Sequence, residues 1–412
     1  MKTFRSLRHR DYRLYFFGQM VSLTGSWMQT TALMWLAWDM THEAKWPAFI
    51  MVSIVGPTLL FGAWGGALAD RLPKRRVILC TQFCFFTSAL ILTSCVLSGI
   101  VTRWLLLGLM LLHGSIQAID LPTRLAWVPD LVPREDLVNA VALNSLLFNV
   151  ARTIGPALAG IALAYAGPAT CFLINAFSYL AVIVALSLMS RGAGDTVVDG
   201  VRDTTGGFRI VRRDAVLRTT MVLAGLVAIA GWPTLSLLPA YAERVLGQDQ
   251  KGFSLLMSCL GGGALLGAAT TATFGRESRQ NLLMLVGVGC VCTMLAGLSQ
   301  VGHFYWACAE AVVFGFGMIL FFSTGQAIVQ MQARPTQRGK VMGIWAMIMS
   351  GGTPLGNVVF GPLADVVGVD RVLLVQAGLM SIVVVALATM RVRLRRRTRS
   401  LPLEVGPTTP IT

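Results

Sequence analysis

Two ionisable residues stand alone inside long apolar stretches of the sequence. Glu310 is the one charged residue of the stretch 304–330, and Arg152 is the one charged residue of the stretch 137–165. Ionisable groups in such surroundings are costly and point to function. A carboxyl group can take up and release a proton, so Glu310 is the best single candidate for proton coupling. Arg152 is a candidate cavity residue, with pairing to helix carbonyls or to Asp120 as the structural alternative.

A second set of polar residues shares one face of a predicted helix. His113, Gln117, Asp120 and Arg124 follow one another at spacings of four, three and four residues. At 3.6 residues per turn, this spacing puts them in one stripe. Asp120 and Arg124 are one turn apart, so their charges can neutralise each other. We assign His113, Asp120 and Arg124 to the candidate site for proton coupling or cavity lining.

The first apolar segment has a polar stripe of its own. Gln19, Ser22 and Ser26 recur at helical spacing, with Gln29 nearby, and Asn149 extends the polar set to the fifth segment. Two explanations stay open, because both a water-filled cavity and hydrogen bonding between helices produce such a stripe.

The elements that must hold these residues are apolar helices. The chain has 412 residues, of which 55% are hydrophobic and 13% are charged, and a soluble protein of this length needs more polar surface. A helix of about 20 mostly apolar residues crosses the hydrocarbon of a bilayer. Such segments occur at 14–38, 47–69, 77–99, 104–128, 137–165, 169–189, 219–242, 253–274, 282–300, 304–330, 340–366 and 371–390. We expect an all-α polytopic membrane protein with twelve transmembrane helices in the lipid bilayer.

Lysine and arginine are distributed unevenly between the two sides of this arrangement. When loops alternate in side, most of the 34 cations fall on the side of the termini, and the other side has Lys45, Arg103, Arg244, Lys251 and Arg371. Cationic loops are retained in the cytoplasm during insertion, so both termini are predicted to be cytoplasmic. The net charge of +15 is then explained by loops near anionic lipid, and we expect no nucleic-acid partner.

The longest polar interval divides the chain into two halves. We predict an N-terminal six-helix bundle at 1–189, a cytoplasmic linker at 190–218, a C-terminal six-helix bundle at 219–391 and a basic cytoplasmic tail at 392–412. At one constant offset, Gly155, Gly160 and Gly167 fall on Gly356, Gly361 and Gly368. Internal duplication of this kind is a building plan of secondary transporters.

A short charged hinge joins the second and third segments. Its sequence GALADRLPKRR (66–76) resembles the loop 2–3 motif of the major facilitator superfamily, through Gly66, Asp70, Arg71, Lys74, Arg75 and Arg76, with Pro73 where the family has glycine. The resemblance implies the twelve-helix major facilitator fold of two pseudo-symmetric bundles. It also implies that Asp70 helps to latch the bundles closed on the cytoplasmic side. As an alternative, the cations only fix orientation, a role that Asp70 would not serve.

A second region narrows the resemblance. Residues 122–160 resemble the branch of this superfamily that contains enterobactin exporters and related drug and secondary-metabolite exporters. Within them, Gly155, Pro156 and Gly160 approximate a glycine–proline motif of antiporters in the fifth helix. Proline removes a backbone donor and bends a helix, and the bend serves either packing or gating.

These observations predict a secondary transporter in the bacterial inner membrane and no enzyme, since no catalytic cluster or nucleotide-binding loop is found. The leading interpretation is a monomeric, proton-coupled exporter of small amphipathic molecules that works by alternating access. An importer or a lysophospholipid flippase of the same fold is the alternative. We expect no cofactor, no metal and no disulfide.

Overall fold

The computed structural model describes residues 5–190, 205–274, 279–300, 302–334 and 337–399, and the regular elements of these residues are helices. The helices are α1 (Arg10–Asp39), α2 (Lys45–Arg71), α3 (Lys74–Leu97), α4 (Arg103–Trp127), α5 (Leu137–Leu188), α6 (Thr205–Arg213), α7 (Ala215–Leu226), α8 (Thr234–Arg244), α9 (Gln250–Phe274), α10 (Gln280–Leu298), α11 (Phe304–Gln332), α12 (Arg338–Val367) and α13 (Val369–Arg399). We call the end of the bundle where α1 begins the terminal end, and the end where α1 finishes the distal end.

Helix α5 is two antiparallel passes joined by a tight turn. Near the start of α1, Tyr12 Oη donates a hydrogen bond to the Ala140 carbonyl at 2.8 Å, and Gly18 packs against Ala185. The start and the finish of α5 therefore lie at the same end of the bundle. The chain reverses at Gly167, whose φ of 75° is open to glycine because it has no Cβ.

The lengths and compositions of the helices suit a membrane. Eight stretches of the described chain are long and apolar enough to cross one, and the one at Asn139–Leu188 contains both passes of α5. Helices α1, α12 and α13 are as long but are not among the eight. Large apolar side chains such as Leu60, Phe83 and Ile382 are exposed on the outer surface, where lipid would cover them. The predicted all-α fold class is confirmed, whereas the count of twelve spans stays a prediction.

The internal repeat of the sequence corresponds to repeated packing. Gly155 lies against Met28 of α1, and Gly356 lies against Ile229 in the equivalent pass of the second half. Gly167 and Gly368 both have positive φ, 75° and 98°. The two halves therefore use the same close contacts at matching positions.

Helix α6 and the start of α7 lie in the predicted linker, and α13 runs into the predicted tail. Asp214 caps α7 by accepting hydrogen bonds from the N–H groups of Val216 and Leu217 at 2.8 and 2.9 Å. Burial raises the pKa of Asp214, but these bonds and one from Gln332 outweigh it and hold the pKa below its ordinary value. Helix α13 continues to Arg399, past the predicted bundle boundary at 391, because arginine and leucine favour helix and no proline occurs before Pro402.

Candidate functional site

A buried polar network lies inside the N-terminal half. Arg124 Nε is 2.7 Å from Asp120 Oδ2, and the exposed fractions of the two side chains are 7% and 0%. Asp120 Oδ1 accepts hydrogen bonds from Thr81 Oγ1 at 2.6 Å and from Gln82 Nε2 at 3.2 Å. Arg124 Nη1 donates to Gln19 Oε1 at 2.6 Å. Side chains of α1, α3 and α4 therefore surround one ion pair, and the neutralisation of Asp120 by Arg124 matches the spacing in the sequence.

The rest of the polar stripe on α1 packs against the second pass of α5. Gln29 Oε1 accepts a hydrogen bond from Asn175 Nδ2 at 2.7 Å. The Ser26 hydroxyl is 3.2 Å from the Tyr179 hydroxyl and also donates to the Ser22 carbonyl. Of the two explanations for the stripe, hydrogen bonding between helices accounts for these contacts.

Two of the ionisable candidates each lie inside one half. The His113 ring is 4.6 Å from the Phe85 ring, within the N-terminal half. The Glu310 carboxyl group lies against Gly297 of α10, and its Oε2 is buried without a hydrogen-bond partner among the described residues. Tyr241 of α8 lies close enough to interact with it electrostatically. Both residues are therefore set back from the boundary between the halves, and their roles in coupling stay predictions.

Arg152 lies on that boundary, in the middle of the first pass of α5. Its guanidinium carbon is 3.7 Å from the centroid of the Phe322 ring and 5.4 Å from that of Trp232, both in the C-terminal half. Its Nη2 donates to Asn149 Oδ1 at 2.9 Å. No described carboxylate pairs with Arg152, and Asp120 pairs with another arginine. The alternative of an Arg152–Asp120 pair is therefore not what the structure shows.

The glycines and proline of α5 set the position of Arg152. A Cβ at Gly155 would overlap Trp27 of α1, and a Cβ at Gly160 would overlap Ser258 of α9. Helix α5 thus approaches one helix from each half within two turns, with Pro156 inside the helix between these contacts. The contacts account for packing, and a gating role for the bend stays a prediction.

On the other side of the boundary, a π-helical turn positions Trp232. Residues Val227–Gly231 form this turn between α7 and α8, and the Trp232 N–H donates to the Val227 carbonyl at 2.9 Å. Pro233 follows and has no N–H to continue an α-helical ladder. Such turns are frequent at functional sites, and this one directs an aromatic ring to the face of Arg152.

At the distal end, an acid of one half caps a helix of the other half. Asp365, in the last turn of α12, accepts hydrogen bonds from the N–H groups of Ala44 and Lys45 at 2.7 and 3.0 Å. These are free donors at the start of α2, where the helix dipole favours negative charge. Arg244 Nη1 pairs with the same carboxylate at 3.2 Å. We call this group the Asp365 cap.

Further polar contacts between the halves surround the Asp365 cap. Trp38 Nε1 donates to Glu243 Oε2 at 2.7 Å, and Arg244 lies over the Trp38 ring at 4.8 Å. Gln250 Nε2 donates to the Leu163 carbonyl, which joins the start of α9 to α5. Together, these groups form several hydrogen bonds between the two halves at this end. The structure is therefore closed at the distal end.

The charged hinge at 66–76 lies at the opposite end. Helix α2 ends at Arg71 and Pro73 directly precedes α3, while the surroundings of Gly66 and of the Asp70 and Arg71 side chains lie outside the described part of the chain. Lys74 Nζ pairs with Asp130 at 2.6 Å, Arg75 Nη2 donates to the Leu186 carbonyl at 2.6 Å, and Arg76 is exposed. Lys74 and Arg75 therefore fasten α3 within the N-terminal half, and the latch assigned to Asp70 stays a prediction.

With this geometry described, the relatives of the chain place it in a family. A family model described as "Transmembrane secretion effector" matches residues 1–407. The chain belongs to the major facilitator superfamily. It is 26% identical over 379 residues to the Staphyloferrin A transporter of Staphylococcus aureus, a match that covers 87% of this chain and 90% of the relative. It is 25% identical over 368 residues to the enterobactin exporter EntS of Escherichia coli, with 86% and 85% covered.

The fold of this major facilitator protein is also similar to that of solved transporters. The crystal structure of the nucleoside transporter NupG matches with a TM-score of 0.69 at 16% identity, covering 93% of this chain and 98% of the other. The predicted family, the predicted transporter class and the prediction that the chain is no enzyme are confirmed. The chain is a multi-pass membrane transporter related to siderophore exporters.

Sequence reasoning about this transporter missed the residues of the distal closure. The candidate residues predicted from the sequence lie inside apolar segments or in the hinge at 66–76, and none of them lies in a distal loop. One signal was available for Asp365, because an acid in the last turn of a helix is disfavoured by the dipole and needs a partner from elsewhere. No such signal marks Trp38, Glu243 or Arg244, since their pairing depends on how the two halves meet.

Proposed function

We propose that this transporter exports small amphipathic molecules from the cytoplasm by alternating access, with protons as the coupling ion. The observation that carries the proposal is the distal closure, in which the Asp365 cap joins α12 of one half to the start of α2 of the other. Polar contacts of this kind can break and re-form as two rigid halves rock against each other.

The direction of the proposed movement follows from orientation. The uneven distribution of cations favours a cytoplasmic terminal end and an outward-facing distal end. The distal closure would then seal the outside, and the space between the halves would load its substrate from the cytoplasm. The similarity to the enterobactin exporter EntS supports the same direction.

Glu310 is the carboxyl group best suited to carry the coupled proton. Asp120 is paired with Arg124 at 2.7 Å, so protonating it would break a buried ion pair. No described cation pairs with Glu310, and its Oε2 has no hydrogen-bond partner among the described residues. Glu310 can therefore gain and lose a proton without breaking a described ion pair. It lies on α11, which packs against both α9 and α10.

Everted membrane vesicles test the proposed export. Vesicles that contain the transporter are expected to accumulate an amphipathic dye when respiration acidifies their interior, and a protonophore should abolish the accumulation. Vesicles without the transporter are the control. Release of preloaded dye under the same gradient would instead indicate an importer, and movement of labelled lysophospholipid without any dye would indicate a flippase.

Replacing Glu310 with glutamine is expected to abolish proton-driven accumulation while dye still equilibrates across the membrane, because the amide cannot carry a proton. Dye uptake should become nearly independent of pH, and the measurement is uptake in everted vesicles across a pH series. Glu135→Gln is the matched control, since Glu135 is an exposed acid at the terminal end, with 69% of its side chain accessible. A Glu310→Gln variant with the pH profile of the wild type would contradict this assignment.

A further inference from the structure

Arg152 has a hydrogen-bond donor that no described residue accepts. Its Nη2 donates to Asn149, but its Nε is buried and has no acceptor among the described residues. Arg152, Trp232 and Phe322 are all partly exposed, so part of each side chain is accessible to a small molecule. A buried N–H without an acceptor is costly, and an oxygen atom of a ligand would satisfy it.

The charge of Arg152 also has no counter-charge among the described acids. Among the described side chains, the two buried cations are both paired, Lys74 with Asp130 and Arg124 with Asp120. Arg152 lies in the middle of the bundle and has no such partner among the described carboxylates. An uncompensated charge at that depth destabilises the protein. A negatively charged ligand would compensate it each time the site is occupied.

The aromatic contacts of Arg152 define the rest of the site. The guanidinium carbon is 3.7 Å from the centroid of Phe322, so this ring covers one face of the guanidinium. The Phe322 ring lies 5.8 Å from that of Trp345, which extends the apolar wall behind it. A face-covered guanidinium keeps its N–H edge available, and that edge matches the geometry of a carboxylate.

We propose that Arg152, Trp232 and Phe322 form a binding site for amphipathic molecules that bear a carboxylate. The carboxylate binds the free edge of Arg152, and a flat apolar part of the same molecule lies against the Trp232 and Phe322 rings. This inference rests on the proposed function, because it names the class of molecule that would be exported.

A pair of probes that differ only in charge tests the site. Pyrene-1-carboxylate and pyrene-1-carboxamide share one flat ring system, and equilibrium dialysis measures their binding to the purified transporter in detergent. The wild type is expected to bind the carboxylate about 10- to 100-fold more tightly than the amide, as expected for a charged hydrogen bond. Arg152→Gln should bind both probes as weakly as the wild type binds the amide. A preserved preference for the carboxylate in this variant overturns the proposal.

Further variants keep the test decisive if Arg152→Gln does not fold. Arg152→Lys retains the charge but not the planar edge, so it should bind the carboxylate about tenfold more weakly than the wild type does, and unchanged affinity overturns the proposal. Phe322→Leu should weaken the binding of both probes equally, because the Phe322 ring contacts the ring system that the probes share. Arg209→Gln, an exposed cation on α6, is the control and should behave as the wild type.

The vesicle assay separates this inference from the proposed function. If wild-type vesicles accumulate neither probe nor dye but the purified transporter still prefers the carboxylate, export is contradicted and the binding site is supported. Equal accumulation of both probes by the wild type and by Arg152→Gln supports export and contradicts the site.

Discussion

Replacement of Asp120 with alanine is expected to lower the free energy of unfolding by about 3–5 kcal/mol, the usual loss when one partner of a buried ion pair is removed. Arg124 would keep its charge beside Gln19 but would lose the carboxylate that lies 2.7 Å away. Thr81 and Gln82 would lose their shared acceptor as well. The measurement is the unfolding transition in mixed micelles with increasing SDS.

A double variant provides the matched control for Asp120→Ala. Asp120→Ala with Arg124→Met removes both charges, so no unpaired ion remains and part of the lost stability should return. Asp120→Asn should fall between the wild type and the alanine variant, because the amide oxygen still accepts a hydrogen bond. If the double variant were as unstable as the sum of its two single variants, the ion pair would not be the source of the effect.

Replacement of Asp365 with alanine is expected to shift the transporter towards states that are open at the distal end, by about 10- to 100-fold in population. The variant loses the acceptor of the Ala44 and Lys45 N–H groups and the ion-pair partner of Arg244, and a hydrogen bond to a charged group contributes about 1.5–3 kcal/mol. Spin labels at Thr102 and Gln300, exposed positions at the distal ends of the two halves, report the separation. The eight native cysteines must be replaced first.

An Asp70 variant is a useful comparison, because it is expected to shift the population of distal-open states in the opposite direction. If Asp70 latches the terminal end, Asp70→Ala should favour states that are closed at the distal end. Asp370→Asn is the control, because this acid lies in the first turn of α13 and takes no part in the Asp365 cap. An unchanged label separation in Asp365→Ala would show that the cap does not hold the distal end closed.

Much of the fold follows from local features of the sequence. Apolar length predicts the helices, and the matching glycines predict the two equivalent halves. The spacing of Asp120 and Arg124 predicts their ion pair, because residues four apart on one helix are neighbours wherever that helix lies. These features depend on helix geometry alone, so no knowledge of the tertiary structure is needed.

Contacts between distant helices could not be predicted in the same way. The Lys45 N–H and Asp365 are 320 residues apart in the chain, and helical periodicity identifies a face without identifying the helix opposite to it. Glu310 shows this limit, since its carboxyl group lies against Gly297 of α10, a partner that helical periodicity does not identify. The aromatic partners of Arg152 belong to the other half, so they depend on how the two halves dock.

The turns at Gly167 and Gly368 have a mechanical consequence. Each joins two long helices with almost no connecting chain, and its backbone conformation leaves little freedom to lengthen. The two helices joined by each turn must therefore tilt together as one rigid unit. Backbone rotation during each transport cycle would then concentrate in the longer connections, such as the one between Asp39 and Lys45, where the two halves are in contact.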